Sequence, residues 1–149
     1  MILFDTILKY KYFYDNNFML CLGDCITILS SIPDNTIDMI FADPPYNLSN
    51  DGFSIDEDFH FHLRWINACK RVLKPNGTIW ISGTYHSIYA CGYALQLTGF
   101  KILNDLCWFK PYASPNLSCR YFTASHETLI WALKNPNSKH TFNYKKMKI

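Results

Sequence analysis

The sequence predicts an α/β fold in one domain spanning residues 1–149, and three observations lead to this class. Short apolar runs that suit buried strands alternate with segments in which apolar residues recur at helical spacing. Such alternation is typical of a mainly parallel sheet covered by helices. The chain has 149 residues, 49% of them hydrophobic, which suits one domain with its own core. The sequence contains no repeat, low-complexity stretch or linker that would divide it.

The first half of the chain is predicted to hold two strands and two helices. In chain order these are a strand over Phe18–Leu22, a short helix that follows Asp24 and runs through Leu29, a strand over Ile37–Ala42 and a helix over Phe59–Leu73. The turn Pro33-Asp34-Asn35 separates the first helix from the second strand, and the polar segment Asn47–Asp58 is predicted to be a loop.

The second half begins where Pro75-Asn76-Gly77 ends the second helix. The elements predicted after it are a buried strand over Thr78–Ser82, a helix over His86–Leu97 that Gly99 ends, and strands over Phe100–Phe109 and Thr128–Leu133. We expect these last two strands to be antiparallel to each other.

The segment Asp43-Pro44-Pro45-Tyr46 is the strongest functional signal. It follows the apolar strand Ile37–Ala42, and two prolines cannot continue a sheet ladder, so the strand should end at Asp43. A carboxylate, a rigid turn and an aromatic ring are thus predicted at the carboxyl end of a strand, where ligands bind in open α/β sheets. The Asp43 carboxylate and the Pro44 carbonyl could accept the hydrogens of one amino group, while Tyr46 stacks on the ring that carries it.

Composition excludes several other classes. The net charge of +2 argues against tight DNA binding through bulk charge alone. Six cysteines include no C-x-x-C pair and no zinc-like spacing, so we expect no metal site and reduced, mostly buried thiols of a cytoplasmic protein. The segment before Asn17 does not read as a signal peptide, and no apolar run approaches the length of a membrane span.

The motifs together resemble the amino-group DNA methyltransferases that use S-adenosylmethionine. The resemblance rests on Asp43–Tyr46 with the strand Ile37–Ala42 that leads into it, and on five further segments. These are Leu22-Gly23-Asp24-Cys25, the run from Arg71 to Gly83, Trp108-Phe109-Lys110, the run from Pro115 to Thr123, and His126-Glu127-Thr128. It covers the chain from about Leu20 to its last residues. The order of motifs is similar to that of the permuted β group, and within it to adenine-N6 enzymes that methylate GATC or GANTC sites.

The resemblance implies a Rossmann-like methyltransferase sheet and a role for each matched residue. Asp43, Pro44, Pro45 and Tyr46 would form the catalytic motif, and Asp24 with Cys25 would contact the cofactor. Asp24 is equally suited to cap the following helix. Double-stranded DNA is the implied partner, and its contacts would come from Asn47, Lys110, Asn116, Arg120 and His126. The target base would be flipped out to reach the motif.

The chain departs from the family in two places. No F-x-G-x-G motif follows, so the central glycine-motif strand and the acid that holds the cofactor ribose are absent; Gly92 and Gly99 fall in a helical pattern and do not replace it. By resemblance, two missing strands belong between Phe18–Leu22 and Ile37–Ala42. The insertion between Gly52 and Phe59 is also short, which puts a lid over the flipped base in doubt. We therefore expect a truncated catalytic domain that carries the target-base half.

Three interpretations stay open on the sequence. The first is a site-specific adenine-N6 methyltransferase whose chain alone has little or no activity. The second is a non-catalytic remnant, or one half of a split enzyme in which a second chain supplies the glycine motif. The third is a methyltransferase acting on cytosine N4 or on a protein glutamine, because each substrate offers an amino group to the same motif. The target sequence, the oligomeric state and a cognate restriction enzyme are not determined by the sequence.

Overall fold

The computed structural model describes residues 7–15, 17–46 and 55–148, with the backbone alone for Ile55 and Asp56. A 3-10 turn over Leu8–Tyr10 opens the described part of the chain. The strands are β1 Lys11–Tyr14, β2 Met19–Cys21, β3 Ile37–Ala42, β4 Leu73–Gly83, β5 Lys101–Phe109 and β6 His126–Leu133. The helices are α1 Cys25–Ser30, α2 Ile55–Val72, α3 Ile88–Leu97 and α4 Tyr144–Met147.

The described strands form two separate sheets. β1 and β2 pair as an antiparallel hairpin, and the other four strands form a sheet in the order β3-β4-β6-β5. The strand predicted over Phe18–Leu22 therefore does not pair with β3, as expected. Its partner strand β1 was not predicted from the sequence. All four β1 residues are exposed, so the strand has no buried face and its sequence shows no alternation of apolar and polar residues.

The prediction of a mainly parallel sheet is wrong. Among the described strands, only β3 and β4 are parallel, joined through α2, whereas β6 is antiparallel to both β4 and β5. A parallel neighbour requires a crossover connection, and β5 and β6 are joined by a segment without a helix. The antiparallel pairing predicted for these two strands is confirmed.

Two element boundaries also differ from the predictions. α2 begins at Ile55 rather than at Phe59, so the last part of the predicted loop is helical. β4 begins at Leu73 and includes Pro75 and Gly77, which were expected only to end the helix. The pairing with β3 shifts register there, since Ile37 lies opposite Leu73 and Met39 opposite Thr78. Such an irregularity is where a sheet accommodates proline.

The main core lies between the four-stranded sheet and the helices α2 and α3. Alternate β4 residues Ile79 and Ile81 point into it and meet Ile66 of α2 and Leu95 of α3, all with no exposed surface. The opposite face of the sheet carries Trp80 stacked on Trp131 of β6 at 5.0 Å between ring centres. Phe142, from the segment before α4, packs against the Trp131 ring on that face.

A buried histidine joins α2 to α3. His62 is fully buried, and its Nδ1 accepts a hydrogen bond of 3.0 Å from the indole nitrogen of Trp65. Because Nδ1 is an acceptor, the ring proton lies on Nε2, which is 3.2 Å from Asp58 Oδ1 but poorly aligned for a hydrogen bond. The Cys91 sulfur of α3 lies 3.4 Å from Nδ1. Burial lowers the pKa of His62, an effect that Asp58 partly offsets.

The cysteines are all free, as expected, but most are not buried. Cys69 and Cys91 are buried, Cys21 is half-buried, and Cys25, Cys107 and Cys119 are exposed. Among the described residues, no group of three or more His, Cys, Asp or Glu side chains could hold a metal ion. None of the helices in the described part is long and apolar enough to cross a membrane.

Candidate active site

Asp43 directly follows β3, so the Pro44-Pro45 segment ends the strand as predicted. Ala42 lies opposite Ile81 in the parallel pair, and this register places Asp43 beside Ser82 at the end of β4. The Ser82 hydroxyl donates to Asp43 Oδ1 at 2.6 Å and lies 3.3 Å from the Ala42 carbonyl. The prediction that the motif lies at the carboxyl end of a strand is confirmed.

Tyr46 turns back onto Asp43. Its hydroxyl donates to Asp43 Oδ1 at 2.5 Å, so a single carboxylate oxygen accepts hydrogen bonds from two hydroxyls. Burial, and then the hydrogen bond to Asp43, raise the pKa of Tyr46 to about 12, so the phenol stays protonated and remains a donor. The ring proposed to stack on a base is therefore held beside the carboxylate in this structure.

Asp43 is ionised at neutral pH. The hydrogen bonds from Ser82 and then Tyr46 lower the pKa of Asp43, burial opposes them, and the Lys110 charge adds a smaller lowering effect. Lys110 itself pairs with Glu127 of β6 at 3.1 Å and lies over the Trp108 ring. An ionised carboxylate offers only acceptors, which is the form required to bind the hydrogens of an amino group.

A cavity of about 460 Å³ joins the predicted cofactor region to the motif. It is lined from β2 and α1 by Cys21, Gly23 and Cys25, and from the motif by Asp43 and Pro45. The ends of β2 and β3 thus face the same space although they belong to different sheets. The remaining described lining is largely apolar and consists of Ile28, Leu29, Ile40, Phe41, Ala42, Pro44, Phe61, Trp65 and Cys69.

Asp24 caps helix α1. Its Oδ1 accepts hydrogen bonds from the backbone nitrogen and the hydroxyl of Thr27, both at 2.8 Å, and these bonds lower the pKa of Asp24. Asp24 is not among the described residues that line the cavity, whereas the neighbouring Cys25 is. The capping role is shown by the geometry, and cofactor contact by Asp24 and Cys25 stays a prediction.

The residues predicted to contact DNA fall in different environments. Lys110 and Asn116 line a second cavity of about 510 Å³ together with Tyr85 and Tyr121. The Asn116 amide donates to the Tyr121 carbonyl at 2.5 Å and its oxygen accepts from Ser118, so this side chain holds its own loop together. Arg120 and His126 are exposed, the latter opposite Phe109 at the start of β6. Asn47 lies outside the described residues.

Two residues near the motif were missed as site residues in the sequence. Ser82 contacts Asp43 from 39 positions away, and Glu127 holds Lys110 and adds its charge near Tyr46. For Ser82 a signal existed, because the polar residue ends a buried apolar strand parallel to β3. For Glu127 the signal was only that it lies in a segment that carries the family resemblance, because a carboxylate on a partly buried strand has no distinguishing pattern of its own.

Comparison with known proteins gives consistent matches. The N6_N4_Mtase family model, described as "DNA methylase", matches residues 37–149. The type II methyltransferase M2.MboI of Moraxella bovis is 46% identical over 153 residues, covering 90% of this chain and 56% of that protein. M2.DpnII of Streptococcus pneumoniae is 45% identical over 163 residues, with 95% and 61% covered. The chain therefore spans only about three fifths of these curated relatives' length.

Solved structures share the fold. PvuII DNA methyltransferase (cytosine-N4-specific) superposes with a TM-score of 0.68 at 20% identity, covering 78% of this chain and 49% of that one. The M1.HpyAVI–SAM complex has a TM-score of 0.52 at 26% identity, with 67% and 45% covered. TTHA0409 of Thermus thermophilus, complexed with S-adenosyl-L-methionine, has a TM-score of 0.61 at 18% identity, covering 84% of this chain and 59% of that one. The predicted α/β fold, similar to that of S-adenosylmethionine-dependent methyltransferases, is confirmed.

Proposed function

This chain belongs to the N6_N4_Mtase family of DNA methylases, and on that premise we propose that it carries the target-base half of a DNA methyltransferase. The reaction is transfer of a methyl group from S-adenosylmethionine to N6 of adenine in double-stranded DNA. The observation that supports it most strongly is the ionised Asp43 at the carboxyl end of β3, beside the cavity that also contains Cys25. Residues 1–149 act as one domain, in the cytoplasm.

The exocyclic amine of adenine is a weak nucleophile because its lone pair is delocalised into the ring. Asp43 accepts one amine hydrogen and the Pro44 carbonyl accepts the other, which localises the lone pair and directs it at the methyl donor. This is catalysis by positioning and electrostatic stabilisation. When bound, S-adenosylmethionine would supply an electrophilic sulfonium methyl group, whose bond to sulfur would break as the amine nitrogen takes the methyl group and then releases a proton to solvent.

The Tyr46 hydroxyl donates to Asp43 Oδ1 in this structure, so it must leave that oxygen before the Tyr46 ring can stack on a base. Once the flipped base enters, the Tyr46 ring stacks on it, an interaction of roughly 1–3 kcal/mol per base. The phenol and the amine are both donors, so the substrate replaces one donor at the carboxylate with another. No charge is left without a partner in either state.

The cavity fits part of the cofactor. Its volume of about 460 Å³ and its apolar lining, which includes Trp65, suit an adenine ring and the methyl end of S-adenosylmethionine. Asp43 is the one carboxylate among the described residues that line it, and it is committed to the amine. The residues present therefore hold the cofactor loosely. We propose that the glycine motif and the ribose-binding acid are supplied by residues outside this sequence, for which a second chain is one source.

The open edge of β3 supports the proposal that further strands complete the sheet. Within the described residues β3 pairs with β4 alone, and its Met39 and Phe41 are 58% and 57% exposed. An open edge beside exposed apolar side chains is a site for pairing with a further strand. The two strands that the family resemblance places between Phe18–Leu22 and Ile37–Ala42 are the proposed occupants of this edge.

The segment between β5 and β6 is proposed to face DNA. It exposes aromatic side chains almost fully, with Tyr112 at 97% and Phe122 at 98%, and it carries Arg120 and the second cavity. Lys110 and Arg120 would contact phosphates or guanine edges, while Asn116 and His126 shape and flank the segment. Asn47 is proposed to act beside the motif.

The test is methyl transfer by this chain joined to the part of M2.DpnII that it does not match. Tritium from labelled cofactor should appear in duplex DNA, and digestion should place it on adenine N6. Asp43→Ala should lower turnover at least ~10²-fold, the typical loss of one preorganised polar partner. Asp38→Ala is the matched control, because Asp38 lies on β3, the strand that Asp43 follows, and is exposed and paired with Lys74 at 2.7 Å.

Tritium found on cytosine N4 instead would show that the enzyme methylates cytosine, whose amino group also lies beside a ring nitrogen. Turnover that survives Asp43→Ala would contradict the role of the motif. A joined protein that binds the cofactor and transfers nothing to DNA would identify the chain as a non-catalytic remnant.

A further inference from the structure

Ser82 is the most deeply buried polar group that contacts the motif. Only 1% of its surface is exposed, and its hydroxyl lies at the end of β4 with two oxygens in reach. The distance to Asp43 Oδ1 is 2.6 Å and that to the Ala42 carbonyl is 3.3 Å. A hydroxyl has one proton, and the shorter distance assigns it to the carboxylate. The backbone of two paired strands therefore fixes this donor.

The two oxygens of Asp43 have different environments. Oδ1 accepts from both the Ser82 and the Tyr46 hydroxyls, which fills its two lone pairs. Among the residues that the structure describes, none donates to Oδ2. Among those residues, the protein occupies only Oδ1, which leaves Oδ2 as the oxygen that can accept from a ligand.

We propose that Ser82 is a positioning residue that holds Oδ1 of Asp43 so that Oδ2 is the oxygen that accepts the target amine. This inference rests on the proposed function and assigns a role to a residue outside the Asp43–Tyr46 motif. Tyr46 leaves Oδ1 when its ring stacks on the base, whereas Ser82 is fixed in the sheet and stays. Ser82 is then the one described donor that keeps the carboxylate in the reactive orientation.

The groups that affect the pKa of Asp43 come from several parts of the fold. Ser82 approaches from β4, Tyr46 from the motif itself and Lys110 from the end of β5. Glu127 of β6 neutralises part of the Lys110 charge through their 3.1 Å pair. Because Ser82 is the first cause of the lowered pKa of Asp43, its removal should raise that pKa, while Lys110 and Glu127 remain unchanged.

The test begins with the isolated chain, so that it does not depend on turnover. The pKa of the Asp43 side chain is measured by NMR titration of ¹³C-labelled carboxyl groups in the wild type and in Ser82→Ala, Ser82→Thr and Ser87→Ala. Ser87 is the matched control, since it is equally buried and has no hydrogen-bond partner for its hydroxyl. We expect the pKa of Asp43 to rise in Ser82→Ala and to stay at the wild-type value in the other two.

In the joined protein described above, Ser82→Ala should lower kcat about 10–100-fold, the loss expected for one hydrogen bond to a charged group, with KM little changed. Ser82→Thr keeps the hydroxyl and should restore most of kcat. The acidic limb of the kcat profile should move to higher pH in Ser82→Ala alone.

An Asp43 pKa that is the same in Ser82→Ala and wild type, in proteins with equally dispersed spectra, would overturn the proposal. A rise in Ser82→Ala and equally in Ser87→Ala would also overturn it, because the effect would then be general loosening. The Asp43 pKa could rise in Ser82→Ala alone while the joined wild-type protein transfers no methyl group. That result would support the positioning of the carboxylate by Ser82 and count against the proposed function.

Discussion

Replacement of His62 should destabilise the chain strongly and change how its stability depends on pH. His62 is fully buried between α2 and α3, and its Nδ1 is the acceptor for the Trp65 indole N–H. His62→Ala removes a large ring from the core and leaves that buried donor without a partner. We expect a loss of ~3–5 kcal/mol in the free energy of unfolding, the range for truncating a large buried ring. His62→Asn keeps an acceptor near Nδ1 and should cost less.

The pH dependence follows from the direction of the His62 pKa shift. Burial lowers the pKa of folded His62 below the unfolded value of about 6.5, so the unfolded chain binds the proton first as pH falls. The stability that His62 contributes is fully present above about pH 6.5 and is lost as pH falls toward the folded pKa. Between about pH 7.5 and about pH 5.5 the loss from this one group is at most ~1.4 kcal/mol. Asp58 reduces that figure because it favours the protonated ring.

The assay is urea denaturation of wild type, His62→Ala and His62→Asn at these two pH values. The other ionisable side chains are the same in all three proteins, so the difference in pH dependence between wild type and His62→Asn reports on His62 and its contact with Asp58. Stability that falls by the same amount in both would refute the assignment of a neutral, buried imidazole. A His62→Ala protein within ~1 kcal/mol of wild type would refute its role in packing.

Two further predictions concern contacts that hold the site's elements in place. Arg71 donates to the Leu29 and Ile32 carbonyls at the end of α1 and pairs with Asp34. In thermal unfolding, Arg71→Ala should therefore lower the free energy of unfolding by ~1.5–3 kcal/mol, and Arg71→Lys, which can keep one contact, should lower it less. A Cβ on Gly77 would lie 3.0 Å from the Lys74 carbonyl oxygen and 3.1 Å from that of Asp38, so Gly77→Ala should cost ~1–3 kcal/mol. Gly92→Ala, whose Cβ meets only the end of the Ile130 side chain at 3.4 Å, should be neutral or stabilising by up to ~1 kcal/mol; equal losses at both glycines would contradict this interpretation.

The position of the motif could be predicted from sequence because its signals are local. Two prolines after an apolar run end a strand, and Asp43 must then follow it. The Asp24 cap at the start of α1 is also a short-range pattern. The confirmed pairing of β5 with β6 follows from chain order, since no helix separates them.

The remaining differences come from interactions between distant residues. β6 lies between β4 and β5 in the sheet, and alternation along one strand does not say which strands are its neighbours. The α2 start at Ile55 was missed because Asp56, Glu57 and Asp58 look like a polar loop, although acidic residues favour the first turn of a helix. Ser82 reaches Asp43 only because the β3–β4 register aligns two strand ends.

The central claim is that this chain holds the target-base side of a methyltransferase and only part of its cofactor side. Calorimetric titration with S-adenosylmethionine tests it most directly, on the isolated chain and on the chain joined to the unmatched part of M2.DpnII. We expect weak binding by the chain alone, because Asp43 is the one carboxylate lining the described cavity, and much tighter binding by the joined protein. Micromolar binding by the isolated chain, or no gain on joining, would contradict the account.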